Sequence, residues 1–173
     1  QTLADIMTFE EKLGSIENKT IAWIGDGNNM ANSWIHAANV FNFKIRLACP
    51  NGRMPDASII KWARDNDTDI IITEDPIVTS KNADAILTDT WLSMGDEDIK
   101  EPEKIFNNFQ VNEELFKLAS ENAIFMHCLP AHRGQEVTED VIDGPRSVVW
   151  DEAENRLHIQ KAILSWTIAD KLI

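Results

Sequence analysis

Apolar and polar positions along this chain switch repeatedly between a helical period and short unbroken apolar runs. Leu3, Ile6, Met7 and Leu13 share one face, which predicts an opening helix from Thr2 to Leu13, ending near Gly14. Thr20-Ile21-Ala22-Trp23-Ile24 is apolar throughout and closed by Gly25-Asp26-Gly27, the pattern of a buried strand and a tight turn. The same reading predicts a helix from about Met30 to Asn42, a second strand from Lys44 to Cys49, a helix from Pro55 to Asn66 and a third strand from Asp69 to Thr73. Pro76 to Asn82 is a short crossover, and Ala85-Ile86-Leu87-Thr88 a fourth strand. An irregular segment, Asp89 to Pro102, leads into helical patterning through Lys117. Ala123 to His127 is the fifth strand, and Val148-Val149-Trp150 is a candidate sixth. Asp151 to Ile173 closes the chain as one long helix, with Ile159, Ala162, Ile163, Trp166, Ala169 and Ile173 on one face.

Strands alternating with helices imply an α/β fold: a doubly wound, Rossmann-like parallel sheet of five strands, with the candidate sixth, and helices on both faces. There is no internal repeat, low-complexity tract or linker, so residues 1–173 read as a single domain. Polar residues gather unevenly at the strand ends. Strands one, four and five lead into Asp26-Gly27-Asn28-Asn29, Asp89-Thr90-Trp91-Leu92-Ser93-Met94-Gly95 and His127-Cys128-Leu129, whereas strands two and three end plainly. In a sheet ordered 3-2-1-4-5 the three clusters converge on the crevice where the connections reverse direction.

Charge narrows the partners. A net charge of −13 argues against nucleic acid and against an anionic membrane, both of which need a basic surface. Neither a signal peptide nor a long apolar span is present, and the two cysteines, Cys49 and Cys128, lie far apart. This usage fits a reducing compartment, with the cytoplasm as the expected location. The chain opens on Gln1, already next to a helix, so the natural start is expected to lie upstream.

Each cluster has a plain structural reading beside the functional one. Gly25-Asp26-Gly27-Asn28-Asn29-Met30 resembles the start of a dinucleotide fingerprint, but Met30 replaces the third glycine and no acid ends the second strand. A tight turn with an Asn cap, or a pair of amides offered to a carboxylate, fits better. The segment from Asp89 to Gly95 combines an acid, a hydroxyl, an exposed-looking Trp91 and a glycine hinge, in the manner of a lid; a solvated turn with Trp91 in the core is the plain alternative. His127, Cys128 and His132 lack a second ligand pair at zinc spacing, so no metal is expected. Cys128 alone reads as an inert thiol, raised in interest by its place at a strand end before Pro130 and Gly134. Arg156 stands near the expected start of the final helix, where the dipole disfavours a cation; it is aimed at an anion or a polarised oxygen, or else paired with Glu152.

Taken together, these motifs resemble the C-terminal, ornithine-binding half of the ornithine carbamoyltransferase family. Four motifs match in order: Gly25-Asp26-Gly27-Asn28-Asn29-Met30, Asp89-Thr90-Trp91-Leu92-Ser93-Met94-Gly95, His127-Cys128-Leu129-Pro130 and Glu154-Asn155-Arg156. Gln1-Thr2-Leu3-Ala4-Asp5 is also similar to the tail of the family's His-Pro-x-Gln segment, so the likeness spans the chain.

The resemblance implies that Asn29, Asp89, Ser93 and Met94 hold the α-amino and α-carboxylate groups of L-ornithine, with the Ser-Met-Gly loop closing over it. It further implies that Gln1, Cys128, Leu129 (through its backbone) and Arg156 meet carbamoyl phosphate, and that Cys128, Asp89 and Arg156 serve catalysis. No cofactor is implied, and the intact enzyme is expected to be a homotrimer. The family's Ser-Thr-Arg-Thr phosphate motif does not occur, and the His and Pro expected before Gln1 are absent. The N-terminal carbamoyl phosphate domain is therefore expected to be missing and this chain alone to be inactive. The alternatives are a related carbamoyltransferase for another amine, such as putrescine, and a non-catalytic Rossmann-like binding module.

Overall fold

A computed structural model describes residues 1–92 and 100–168. Ser93, Met94 and Gly95 of the expected closing loop, and Ala169 and Ile173 of the final helix, lie outside the described residues. In chain order the elements are α1 (Thr2–Leu13), β1 (Thr20–Ile24), α2 (Asn29–Val40), β2 (Lys44–Ala48), α3 (Ala57–Asp65), β3 (Ile70–Thr73), α4 (Pro76–Ser80) and β4 (Ala85–Thr88). They continue with α5 (Pro102–Phe106), α6 (Glu113–Phe116), β5 (Ile124–His127), α7 (Glu139–Ile142) and α8 (Val149–Ile168). The strands form one sheet in the expected order, β3-β2-β1-β4-β5, and every pairing is parallel.

Unbroken apolar strands bury both faces, and the two faces take alternate residues. Ile21, Trp23, Leu87, Ile124 and Met126 meet Ile6 and Phe9 of α1 and Trp34 and Ile35 of α2. Ala22, Ile24, Ile86 and Phe125 meet Phe106, Phe109, Phe116 and Val141 on the opposite side. Each such side chain contributes about 1.5–3 kcal/mol by leaving water, which makes the central strands a rigid base for whatever follows them. β3, at the edge, is only partly covered.

The helical patterning before Lys117 resolves into α5, a 3-10 turn over Asn107–Phe109 and α6. Between these pieces Gln110 is extended and Val111 bridges to Val137, which interrupts the helix. The sixth strand does not form. Phe125 donates to the Arg146 carbonyl and accepts from Val148 N–H, a single bridge centred on Ser147, and Val148 O then accepts Glu152 N–H as the chain turns into α8. The final helix thus begins at Val149 rather than Asp151, with Val149 in the core. Its first half packs on α1, where Asn155 donates to Thr8 Oγ1 at 2.9 Å and to Glu11 at 2.8 Å. Its second half projects, leaving Ile163 41% and Trp166 61% exposed.

Candidate active site

Register places the central pair of residues. Thr88 of β4 stands opposite His127 of β5, so the next residue of each strand, Asp89 and Cys128, leaves the sheet at the same level. Cys128 Sγ donates to Asp89 Oδ1 at 3.0 Å, and Thr90 N–H donates to the same oxygen at 2.8 Å. The third expected cluster joins them from β1. Thr88 Oγ1 donates to Ile24 O at 2.6 Å, tying the two strand ends together, and Asn28 Nδ2 donates to Asp89 Oδ2 at 2.8 Å.

Asn28 serves two elements at once. Its Oδ1 accepts Met30 N–H at 2.9 Å and Ala31 N–H at 3.2 Å, capping α2, which fixes the amide so that Nδ2 must face Asp89. Asn29, the expected ornithine ligand, is the exposed first residue of α2, and its side chain makes no hydrogen bond to Asp89. The turn before them is tightly fitted: a Cβ on Gly27 would stand 2.3 Å from Met54 C and Pro55 N, so only glycine lets these backbones meet. Arg53 grips the Asp26 carboxylate in a bidentate pair, both contacts 2.8 Å, closing that corner.

Burial, then the Asp89 carboxylate, pushes the Cys128 thiol far above the ordinary cysteine range. At neutral pH Cys128 is a thiol whose proton points at Asp89, and its sulfur lone pairs remain available as an acceptor. This chemistry suits orientation of an amine and does not suit a thiolate nucleophile. Asp89, His127 and Cys128 each place a potential metal-ligand atom within 4.8 Å of the others. All three already have partners: His127 Nδ1 accepts Leu129 N–H at 2.9 Å, and Asp89 and Cys128 bind each other. His132, the third zinc candidate in the sequence, is not one of the trio.

Arg156 and Gln1 lie along one continuous surface with the strand-end residues. Arg156 lines a hollow of about 590 Å³ together with His127, Cys128, Leu129 and Pro130. It also lines an adjoining cleft of about 260 Å³ with Gln1 and Ser33. Because α8 begins at Val149, Arg156 lies about two turns into the helix, beyond the reach of the unfavourable dipole. Among the described residues no ion pair holds it, so the alternative pairing with Glu152 does not form. Gln1 is the N-cap residue of α1, and its side-chain amide donates to Asp5 at 2.5 Å. A larger hollow, about 660 Å³ and lined by Glu74, Asn107 and Glu114, contains none of the motif residues.

Three features select among or depart from the sequence readings. Trp91 is buried, 4% exposed, as the plain alternative for its segment had it, and stacks on Phe106 with centroids 5.7 Å apart, because α5 brings a ring beneath it. Glu152, named from the sequence as an alternative partner of Arg156, is instead buried and accepts His127 N–H at 2.9 Å. Burial raises its carboxyl well above the ordinary range, and Asp5, also buried, is raised to about 6 chiefly by desolvation. Glu136 carried no signal in the chain, yet it is fully buried behind the His127 ring. A lone acid between Gln135 and Val137, in a segment without periodicity, gives a reader nothing to act on.

Comparison with known proteins agrees with this geometry. Residues 17–167 match the family described as aspartate/ornithine carbamoyltransferase, Asp/Orn binding domain. An ornithine carbamoyltransferase of Brucella abortus (strain 2308) is 53% identical over 171 residues, which cover 99% of this chain and 55% of that protein. One from Rhodopseudomonas palustris (strain BisA53) is 53% identical over 96% of this chain and 53% of its own length. Among solved structures, the ornithine carbamoyltransferase of Pyrococcus furiosus superposes with a TM-score of 0.88 at 49% identity, covering 94% of this chain and 54% of that one. This chain spans about half the length of the relatives it matches. With Asp89, Cys128 and Asn28 gathered at the ends of three adjacent strands, and with the family model matched across most of its length, the chain belongs to the aspartate/ornithine carbamoyltransferase family, in its Asp/Orn-binding domain.

Proposed function

We propose that this chain is the ornithine-binding domain of an ornithine carbamoyltransferase, which transfers the carbamoyl group of carbamoyl phosphate to the side-chain amine of L-ornithine, giving L-citrulline and phosphate. The observation that carries the reading is the Asp89–Cys128 contact at 3.0 Å, which unites two of the four motifs at the switch point of the sheet. Asp89, Asn29, Ser93 and Met94 hold the α-amino and α-carboxylate groups of ornithine. Gln1, Arg156, Cys128 and the Leu129 backbone meet carbamoyl phosphate, and Arg156 polarises the carbonyl oxygen.

The attacking amine resembles that of lysine, with a pKa of about 10.4, so holding it neutral at pH 7 costs roughly 4–5 kcal/mol. A closed, water-poor site lowers that cost. The Cys128 sulfur accepts an N–H from the amine while the thiol keeps its own proton, directed at Asp89; both groups orient the amine, and the Asp89 carboxylate helps take up its proton. As the nitrogen–carbon bond forms, the bond from carbon to the phosphate oxygen breaks, and phosphate leaves from a tetrahedral intermediate. A carbamoyl phosphate domain preceding Gln1 supplies the rest of the site, the chain alone lacks turnover, and the intact enzyme is a cytoplasmic homotrimer. Titration calorimetry on the full-length protein loaded with carbamoyl phosphate tests the reading. L-Ornithine gives a saturable heat while putrescine and NAD do not; saturable putrescine heat without ornithine heat overturns it.

A further inference from the structure

Arg53 belongs to none of the four motifs, yet it reaches the supports of the strand-end carboxylate from two sides. Its side chain is 21% exposed and that of its partner Asp26 7%. The guanidinium fork meets both carboxylate oxygens of Asp26 at 2.8 Å, and the guanidinium carbon lies over the Phe106 ring, 5.8 Å from its centre. The first contact is a bidentate ion pair and the second a cation–π contact.

Both contacts lead to Asp89. On one side Arg53 O accepts Gly27 N–H at 2.8 Å, so the turn that follows β1 is held by the backbone and the side chain of the same residue. Asn28 comes next in that turn, and its Nδ2 donates to Asp89 Oδ2 at 2.8 Å. On the other side the fully buried Phe106 stacks on Trp91, with ring centres 5.7 Å apart and planes 10° from parallel. Thr90 Oγ1 donates to Leu92 O at 3.2 Å, curling the backbone about Trp91, so a seated indole also seats Thr90. Thr90 N–H in turn donates to Asp89 Oδ1 at 2.8 Å. One guanidinium therefore stands behind both oxygens of Asp89.

We propose that Arg53 is a positioning residue for the amino acid that the strand-end cluster receives: it braces the Asp26 turn and the Phe106–Trp91 stack, which together hold the Asp89 carboxylate against Cys128. The kinetic part of this inference rests on the function proposed above. The work needs a planar fork with delocalised charge, which spans two carboxylate oxygens and lies on a ring; an ammonium is a compact, strongly hydrated point charge that does neither as well.

The test uses the full-length protein and the variants Arg53→Met, Arg53→Lys and Phe106→Leu. Arg53→Met lowers kcat/KM for ornithine on the order of 10–100-fold, the penalty for displacing a positioned group by about 1 Å, and leaves the KM for carbamoyl phosphate near the parent value. Arg53→Lys recovers most of the Tm lost in Arg53→Met but not the lost kcat/KM, because it restores the charge and not the fork. Phe106→Leu falls between Arg53→Met and the parent. In parallel, iodoacetamide alkylation of the two cysteines is followed by mass spectrometry. Cys128 reacts faster in Arg53→Met, having lost its Asp89 acceptor, while Cys49, buried on the segment that leads to Arg53, keeps the parent rate. A kcat/KM that tracks Tm across the two Arg53 variants, an equal rise in the KM for carbamoyl phosphate, or Cys49 reacting in step with Cys128 reduces Arg53 to a structural pair and overturns the inference. If the parent protein makes no citrulline, the functional reading fails and the alkylation rates alone decide the role of Arg53. If Arg53→Met does not fold, Arg53→Lys and Phe106→Leu decide it by the same measurements.

Discussion

Replacing Asp89 by Asn sets the strand-end cluster against itself. The carboxylate accepts three donors: Thr90 N–H at 2.8 Å and Cys128 Sγ at 3.0 Å on Oδ1, and Asn28 Nδ2 at 2.8 Å on Oδ2. An asparagine has one oxygen to offer. Turned toward Thr90 and Cys128, it points its own N–H₂ at the Asn28 amide, donor against donor. Asn28 cannot rotate in response, because its Oδ1 caps α2 at 2.9 and 3.2 Å, and a lost cap costs about 1 kcal/mol. Leaving one buried donor unpaired costs about 1–3 kcal/mol, and in a domain of this size each kcal/mol lowers Tm by roughly 2–4 °C. Thermal unfolding followed by circular dichroism should therefore show Asp89→Asn several degrees below the parent. Asn28→Ser keeps a capping oxygen and removes the clashing donor, so the double variant should lose less than the two singles combined, with a coupling of about 1 kcal/mol or more. Additive losses, or an unchanged Tm in Asp89→Asn, would refute this account of the cluster.

Gly27→Ala should destabilise by about 1–3 kcal/mol in urea titrations, since its Cβ would overlap Met54 C and Pro55 N at 2.3 Å and no side chain can yield. The buried acids Asp5 and Glu152 make stability fall as pH rises: burial raises Asp5 from 3.8 to about 6 and Glu152 well above its ordinary value. The folded state thus holds protons that the unfolded state has released. This contribution is fully present below about pH 4 and lost as pH passes through about 6 and beyond, on the order of 3 kcal/mol for Asp5 at 1.36 kcal/mol per unit. Asp5→Asn and Glu152→Gln should each flatten the stability profile between pH 4 and 7, and profiles as steep as the parent's would contradict the assignment. In the full-length protein Cys128→Ser should lower citrulline turnover far more than carbamoyl phosphate affinity, as measured by steady-state kinetics; undiminished turnover would remove Cys128 from the mechanism.

The buried parallel sheet was legible because Thr20 to Ile24, Ala85 to Thr88 and Ala123 to His127 are apolar on both faces; its order was chosen from the few common ones, and polar clusters after those strands alone fitted that choice. The convergence of Asp89 and Cys128 follows from that topology plus a register, and the register is set by packing that strand composition does not reveal. Arg156 was placed too close to a helix end because Val148-Val149-Trp150 has the composition of a strand. A single bridge at Ser147 leaves that run one residue of pairing before it turns into α8. Trp91 looked exposed because Phe106, its stacking partner, lies fifteen positions away in the chain. Asp5, Glu136 and Glu152 were invisible as buried groups, since surface and core acids are written with the same letters. Their roles come from partners such as His127 N–H and the His132 amide that no local spacing encodes.

The central claim is that the cluster at the ends of β1, β4 and β5 receives the amino acid that is carbamoylated. The most direct test is steady-state product formation by the full-length protein from carbamoyl phosphate, with L-ornithine and putrescine offered together and the products separated by chromatography. Citrulline should dominate, and Asp89→Asn should raise the KM for ornithine. Carbamoylated putrescine as the main product, or citrulline formation indifferent to Asp89, would contradict it.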